Sequence, residues 1–140
     1  MPLVIRRKVT LGVVIGSRAF FSPAPCADAR RDVLAQLEKL GVDVITLPFE
    51  ATANGAVQSV ADADLYAAHF RANADRIDGL VICLPNFGDE IAIAELVNRA
   101  RLNVPILLQA SNDEVTKVSV KERRDAFCGK ISVTLSLIHI

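Results

Sequence analysis

Residues 80–90 read LVICLPNFGDE. Leu80-Val81-Ile82-Cys83-Leu84 is an unbroken apolar run, which is how a strand covered on both faces of a parallel sheet reads. Pro85 stops the strand, and Gly88 supplies a backbone conformation that other residues rarely adopt. Asp89 and Glu90 suit the positive end of a following helix. A strand-to-helix turn therefore accounts for Pro85, Gly88, Asp89 and Glu90. Asn86 and Phe87 are left over, and they are the first candidates for function.

The same grammar extends to either side. Val9–Ile15 is β-branched, nearly continuous in apolarity and closed by Gly16, a first strand. Ser22-Pro23 pairs a cap residue with one suited to a first helical turn. The helix that follows places Val33, Leu34, Leu37 and Leu40 on one face and stops at Gly41. Val42–Leu47 reads as a second strand, ended by Pro48. Residues 48–58, PFEATANGAVQ, form a loop longer than a simple turn needs. Next comes a helix whose stripe is Val60, Ala63, Ala67, Phe70, Ala74 and Ile77, at alternating spacings of three and four. Asp78-Gly79 breaks it before the Leu80–Leu84 strand. Asp89–Arg101 forms a helix with Ile93, Leu96, Val97 and Ala100 inward, and Asn103 turns the chain into a fourth strand, Val104–Leu108.

Strands alternating with helices predict an α/β domain with a parallel sheet and right-handed crossovers. The expected strand order is 2-1-3-4, in a Rossmann-like or flavodoxin-like three-layer arrangement. After Ser111 the pattern weakens. Val120–Cys128 is a candidate helix, and no segment clearly supplies a fifth strand, so the domain is expected to be truncated before one. Residues 1–133 are assigned to this domain. The apolar ending TLSLIHI, residues 134–140, is set apart as a tail foreign to the natural protein.

Composition excludes several function classes. The 140 residues carry 16 basic and 16 acidic side chains, so no overall field draws the chain to nucleic acid or an anionic membrane. The pairs Arg6-Arg7, Arg30-Arg31 and Arg123-Arg124 are dispersed and read as solvated surface. Three cysteines, Cys26, Cys83 and Cys128, lie far apart with no CxxC pairing, which argues for a reducing, cytoplasmic compartment and against a zinc site. Cys83 reads as core packing, and Cys128 as a packing residue at least as well as a functional one. No apolar run approaches ~20 residues, the length a membrane span needs. Arg6-Arg7-Lys8 followed by Val9–Ile15 looks superficially like a signal peptide, but the apolar stretch is short and runs into Arg18.

Ligands of parallel sheets bind beyond the carboxyl ends of the strands, above all where strand order reverses. Here that is between the first and third strands, where Gly16–Ser22 and Pro85–Glu90 emerge. Arg18, Phe20, Phe21, Asn86, Phe87, Asp89 and Glu90 are the candidate site residues, with Asn86 and Phe87 expected to lie exposed. The loop Gln109–Glu114 shares that edge. Arg18 near a helix start invites a phosphate-loop reading, but there is neither GxGxxG nor GxxxxGK[ST]. Asp89 and Glu90 are adjacent on a helix and point about 100° apart, a poor metal pair without a histidine. His69 reads as a surface or boundary residue beside Phe70, and His139 falls in the tail. No catalytic set and no metal set is expected within this chain.

Together GSRAFFSP, the loop around Asn54-Gly55-Ala56-Val57, LPNFGDE and RRDAFCGKISV resemble the L-fucose isomerase-like family, which includes L-fucose and L-arabinose isomerase-type enzymes. The similarity runs in order from about Val9 to Val133 and would correspond to the family's N-terminal domain. It implies an aldose–ketose isomerase using a divalent metal, usually manganese, held by Glu, Asp and His from later domains. No segment here matches those ligands, so this chain alone is expected to be inactive and to bind no cofactor. The resemblance further implies a homo-oligomer in which this domain covers a neighbouring subunit's active site, with a sugar as substrate. Arg18, Phe20, Phe21, Asn86 and Phe87 suit that role. The alternative is a free-standing sugar-sensing or protein-interaction module without catalysis.

Overall fold

A computed structural model describes residues 8–140, so the Arg6-Arg7 pair lies outside the described residues. The elements run β1 (Thr10–Ile15), α1 (Ala24–Lys39), β2 (Asp43–Ile45), α2 (Val60–Arg71), β3 (Gly79–Leu84), α3 (Glu90–Ala100), β4 (Ile106–Ala110) and α4 (Ala126–Ile138). All four strands are parallel in the order β2-β1-β3-β4. β1 and β3 are central, with Gly12 opposite Leu80 and Ile15 opposite Cys83. The α/β class and the 2-1-3-4 order are those expected from the periodicity.

Alternation along the central strands makes two cores. Val14, Leu80, Ile82 and Leu84 meet Phe70 of α2, Leu96 of α3 and Val133 of α4 on one face. Val13, Ile15, Val81 and Cys83 meet Cys26 and Leu37 of α1 on the other. Both faces of β1 and β3 are thus covered, which is why these strands tolerate no polar alternation.

Several expected boundaries and burials differ. Pro23, not Ser22, takes the cap position of α1, although Ser22 Oγ still accepts from Ala24 N–H at 3.4 Å. Leu40 follows the last turn and is 74% exposed, so it does not join the inward face. α2 ends at Arg71, leaving Ala74 exposed in the turns beyond it, while Ile77 is buried outside any helix. Val60, at the start of α2, is also exposed, and Tyr66, absent from the expected stripe, is fully buried against Phe70. β2 is shorter than Val42–Leu47, pairing with β1 only through Asp43, Val44 and Ile45. β4 begins two residues later than Val104, because Pro105 contributes its carbonyl to Leu80 N–H (2.9 Å) and pairing with β3 starts at Ile106.

The largest departure is at the C-terminal side. Val120–Cys128 is not a helix: residues 111–125 form turns, and α4 begins at Ala126. The cause is Asp113, thirteen residues upstream, whose carboxylate accepts from Ala126 N–H at 2.9 Å and from Phe127 N–H at 3.2 Å. A side chain arriving from the β4 loop supplies the first-turn acceptors that no neighbouring residue offers. α4 then runs through Ile138 and packs Ala126, Gly129 and Val133 inward. Cys128 lies on its exposed side and packs into no core.

Candidate functional site

Three segments meet beyond the carboxyl ends of β1 and β3. The first is Gly16–Ser22 and the second is Pro85–Asp89. The third is the long loop, which folds into two 3-10 turns, Phe49–Ala51 and Ala53–Gly55, and returns to the sheet edge at Val57. Val57 N–H donates to the Ile15 carbonyl at 2.8 Å, and Ser17 N–H donates to the Val57 carbonyl at 3.0 Å. The loop's length is therefore used to extend β1's edge by one further parallel bridge, Gly16 to Val57.

Asn86 joins the first two segments. Its Oδ1 accepts from Arg18 N–H and Gly88 N–H, both at 3.1 Å. Its Nδ2 donates to Ser17 Oγ at 2.8 Å and to the Ser22 carbonyl at 3.3 Å. The side chain is only 1% exposed, so the expectation that Asn86 faces outward is overturned. Its amide has two donors and two acceptor lone pairs, and here all are spent on the protein. Gly88 completes the turn with φ of +76°, a left-handed conformation that an L side chain would adopt only with strain.

Phe87 is half-buried and stands in a stack. Its ring lies nearly parallel to Phe21, with centroids 5.9 Å apart and an interplanar angle of 16°. The Arg18 guanidinium sits 4.7 Å above the Phe87 centroid, and the Arg123 guanidinium 5.8 Å from that of Phe21. Phe20 meets Phe21 edge-on and is 69% exposed, whereas Phe21 is buried. Arg18 is also held by Glu90 through a short hydrogen-bonded ion pair, with Asp89 Oδ2 at 4.0 Å. Asp89 caps α3 through Ala92 N–H at 2.9 Å, the role expected of it, while Glu90 serves Arg18 more than the helix end. The seven candidate residues are thus brought together, five at the surface with Phe21 and Asn86 buried beneath them.

The sequence reading missed Arg123 and undervalued Arg30. Arg123 packs on Phe21 and pairs with Asp125 at 3.3 Å, and Arg124 pairs with Glu114 at 3.0 Å, so this pair is not merely solvated. Arg30 is buried and donates to the Leu47 carbonyl and Thr46 Oγ1, tying α1 to the end of β2. Neither role has a local signature, since each depends on a partner from another element.

A metal does not fit this cluster. Glu90 and Asp89 already serve Arg18 and the α3 cap, and among the described residues no group of three or more His, Cys, Asp or Glu could hold a metal ion. His69 lies at the boundary of α2 beside Phe70, with ring centroids 6.3 Å apart. No helix among the described residues is long and apolar enough to cross a membrane.

The thiols separate by environment. Burial pushes Cys83 up to about 11, and burial raises Cys26 against an opposing hydrogen bond from Ser17. Thiolate is the reactive form, so both are protected by ionisation as well as by access. Native protein treated with iodoacetamide at about pH 8 is expected to be alkylated at Cys128 alone. All three cysteines should react once urea unfolds the chain. Rapid native labelling of Cys26 or Cys83, located by peptide mass spectrometry, would contradict this core.

The comparisons agree with the geometry. A sequence search found no matching curated protein. The model of the family described as fucose/sulfoquinovose isomerase, N-terminal domain, matches residues 12–140, a span holding all four strands but the first two residues of β1 and every candidate site residue. With that match on a parallel 2-1-3-4 sheet, this chain belongs to the fucose/sulfoquinovose isomerase N-terminal domain family.

Proposed function

We propose that this domain serves a metal-dependent aldose–ketose isomerase by covering the active site of a neighbouring subunit, with the metal held by residues outside this chain. The carrying observation is the Arg18–Phe87–Phe21 stack, a cation and aromatic faces at the sheet's carboxyl edge, flanked by Asp89 and Glu90. Aromatic faces pack against the C–H faces of sugar rings, and carboxylates accept from sugar hydroxyls. The exposed Phe20 beside them suits a contact with a second subunit. The divalent cation, manganese by family resemblance, would polarise adjacent sugar oxygens. By itself this chain turns over no sugar, and its free thiols fit a cytoplasmic setting. Family membership favours this reading over a sensing module.

The test is Phe87→Ala in the full-length isomerase. Losing one stacking face is worth about 1–1.5 kcal/mol, so kcat/KM should fall about tenfold. The urea midpoint should move little, because Phe87 is only half-buried. Unchanged kcat/KM would remove the stack from the active site and end this reading.

A further inference from the structure

The sheet ends in two edge strands, and they are protected differently. An edge strand presents unpaired N–H and C=O groups to any other strand, and proteins blunt such edges with short length, charge or covering groups. β2 pairs over only three residues and carries Asp43, held by Lys8. Arg30 occupies the far end of β2 through the Leu47 carbonyl and Thr46 Oγ1. β4 has none of these devices. Residues 104–112, VPILLQASN, hold no charged side chain, and Leu107 in the middle of the strand is 62% exposed. Pro105 precedes β4 and turns its carbonyl to β3, so it does not block the free side.

Which backbone groups of β4 are free follows from the register. Leu80 N–H donates to the Pro105 carbonyl, and Ser111 N–H donates to the Leu84 carbonyl, both at 2.9 Å. Backbone groups alternate sides along a strand, so those of Leu107 and Gln109 also face β3. The N–H and C=O groups of Ile106, Leu108 and Ala110 therefore face away from the sheet. Among the described residues no backbone group of another element bonds to them. Gln109 Nε2 donates to the Ala110 carbonyl at 2.8 Å, which leaves that oxygen a second lone pair.

We propose that β4 is a self-pairing edge whose occupant is β4 of a second copy of this chain. The outward groups are spaced symmetrically about Leu108. A two-fold axis there sets the strands antiparallel, with Leu108 opposite Leu108 of the second copy and Ile106 opposite Ala110. All three outward positions then become hydrogen-bonded pairs, and the two sheets join into one. The lack of charge matters as much, because any charge near the axis would meet its own copy. On the face of the sheet that α1 covers, Leu107 would stand beside Gln109 of the second copy. A strand of other origin could use the same backbone groups, but the two-fold match needs nothing beyond β4 itself. The edge is only about 17 Å long, which places the contact at the small end of specific interfaces. The dimer should accordingly be reversible, with a Kd on the order of tens of micromolar. It asks nothing of the Arg18–Phe87 stack, which stands beyond the ends of β1 and β3.

The test is analytical ultracentrifugation of the whole chain over a range of concentrations, read beside amide hydrogen exchange by NMR. A monomer–dimer equilibrium is expected, with little response to salt because no ion pair contributes. Exchange at Ile106, Leu108 and Ala110 should slow as concentration rises. Leu107 and Gln109, bonded to β3, should be protected at every concentration. Leu107→Lys brings two like charges close to the axis and should weaken the dimer about tenfold or more, whereas Leu107→Met should retain it. Leu107 is exposed, so the urea midpoint should barely move in either variant. A chain that stays monomeric at millimolar concentration would overturn the proposal. So would a dimer that survives Leu107→Lys, or one whose outward amides still exchange freely, since another surface would then be pairing. Outward amides protected in the monomer at every concentration would mean that a segment of the same chain covers this edge, which also excludes the second copy.

Discussion

Gly129→Ala is expected to destabilise the domain by about 3 kcal/mol, at the upper end of ordinary overpacking costs, and to lift α4 from the sheet. A Cβ on Gly129 would lie 2.6 Å from Phe87 Cα and closer still to its carbonyl carbon and oxygen. These are backbone atoms, and the turn bearing them is fixed by Asn86 and Gly88. No rotamer change relieves the contact. The sign of the effect makes the experiment decisive, because helix propensity alone would make alanine about 1 kcal/mol better than glycine here. Urea denaturation of the two proteins therefore separates the cases. A more stable Gly129→Ala protein would mean that α4 does not rest on Phe87.

Asn86→Ala should cost a similar amount, about 3 kcal/mol, although it removes no apolar core. Four hydrogen bonds disappear, and Arg18 N–H, Gly88 N–H and Ser17 Oγ lose a partner in a site that is nearly dry. A buried donor left unpaired costs about 1–3 kcal/mol, and water entering the vacated space offsets part of the sum. The functional consequence is larger than for an ordinary core mutation. With Asn86 gone, the Arg18 loop still meets the Phe87 turn through ring stacking and the Arg18–Glu90 ion pair, but without the four buried hydrogen bonds the stack should lose its fixed geometry. Amide exchange at Arg18 and Gly88 should then accelerate well beyond the change in global stability. Exchange that merely tracks the global loss would show that Asn86 braces the fold without setting the site. The contrast with Phe87→Ala is the useful one: Asn86 is read through stability, Phe87 through turnover.

The positions of most elements were legible because their signals are local. Continuous apolarity in Leu80–Leu84 reports burial on both faces of one strand, and the spacing of Ala63, Ala67 and Phe70 reports one face of one helix. Asp89 was readable as a helix-start residue for the same reason, since its partner Ala92 is three residues away. Reading failed where the deciding partner is remote. α4 was displaced because its cap, Asp113, comes from the β4 loop, and Leu40 was misassigned because burial ends where α1 does.

By itself the sequence determined the α/β class, the parallel order 2-1-3-4 and the edge at which the candidate loops emerge. Strand periodicity, crossover handedness and the ends of strands are properties of short segments and of chain connectivity, which any reader of the residues can follow. Only the tertiary structure decided what the loop residues do there. Asn86 is a buried clamp because Ser17, 69 residues away, arrives beneath it, and Arg18 meets Glu90 across 72 residues. Gly129 matters because α4 comes to rest on the Phe87 backbone, and Asp113 because its carboxylate is spent on a helix start thirteen residues on. A side chain's type states what it can bond, but which of those bonds the fold consumes is settled by the groups that the packed chain brings within 3 Å or so of it.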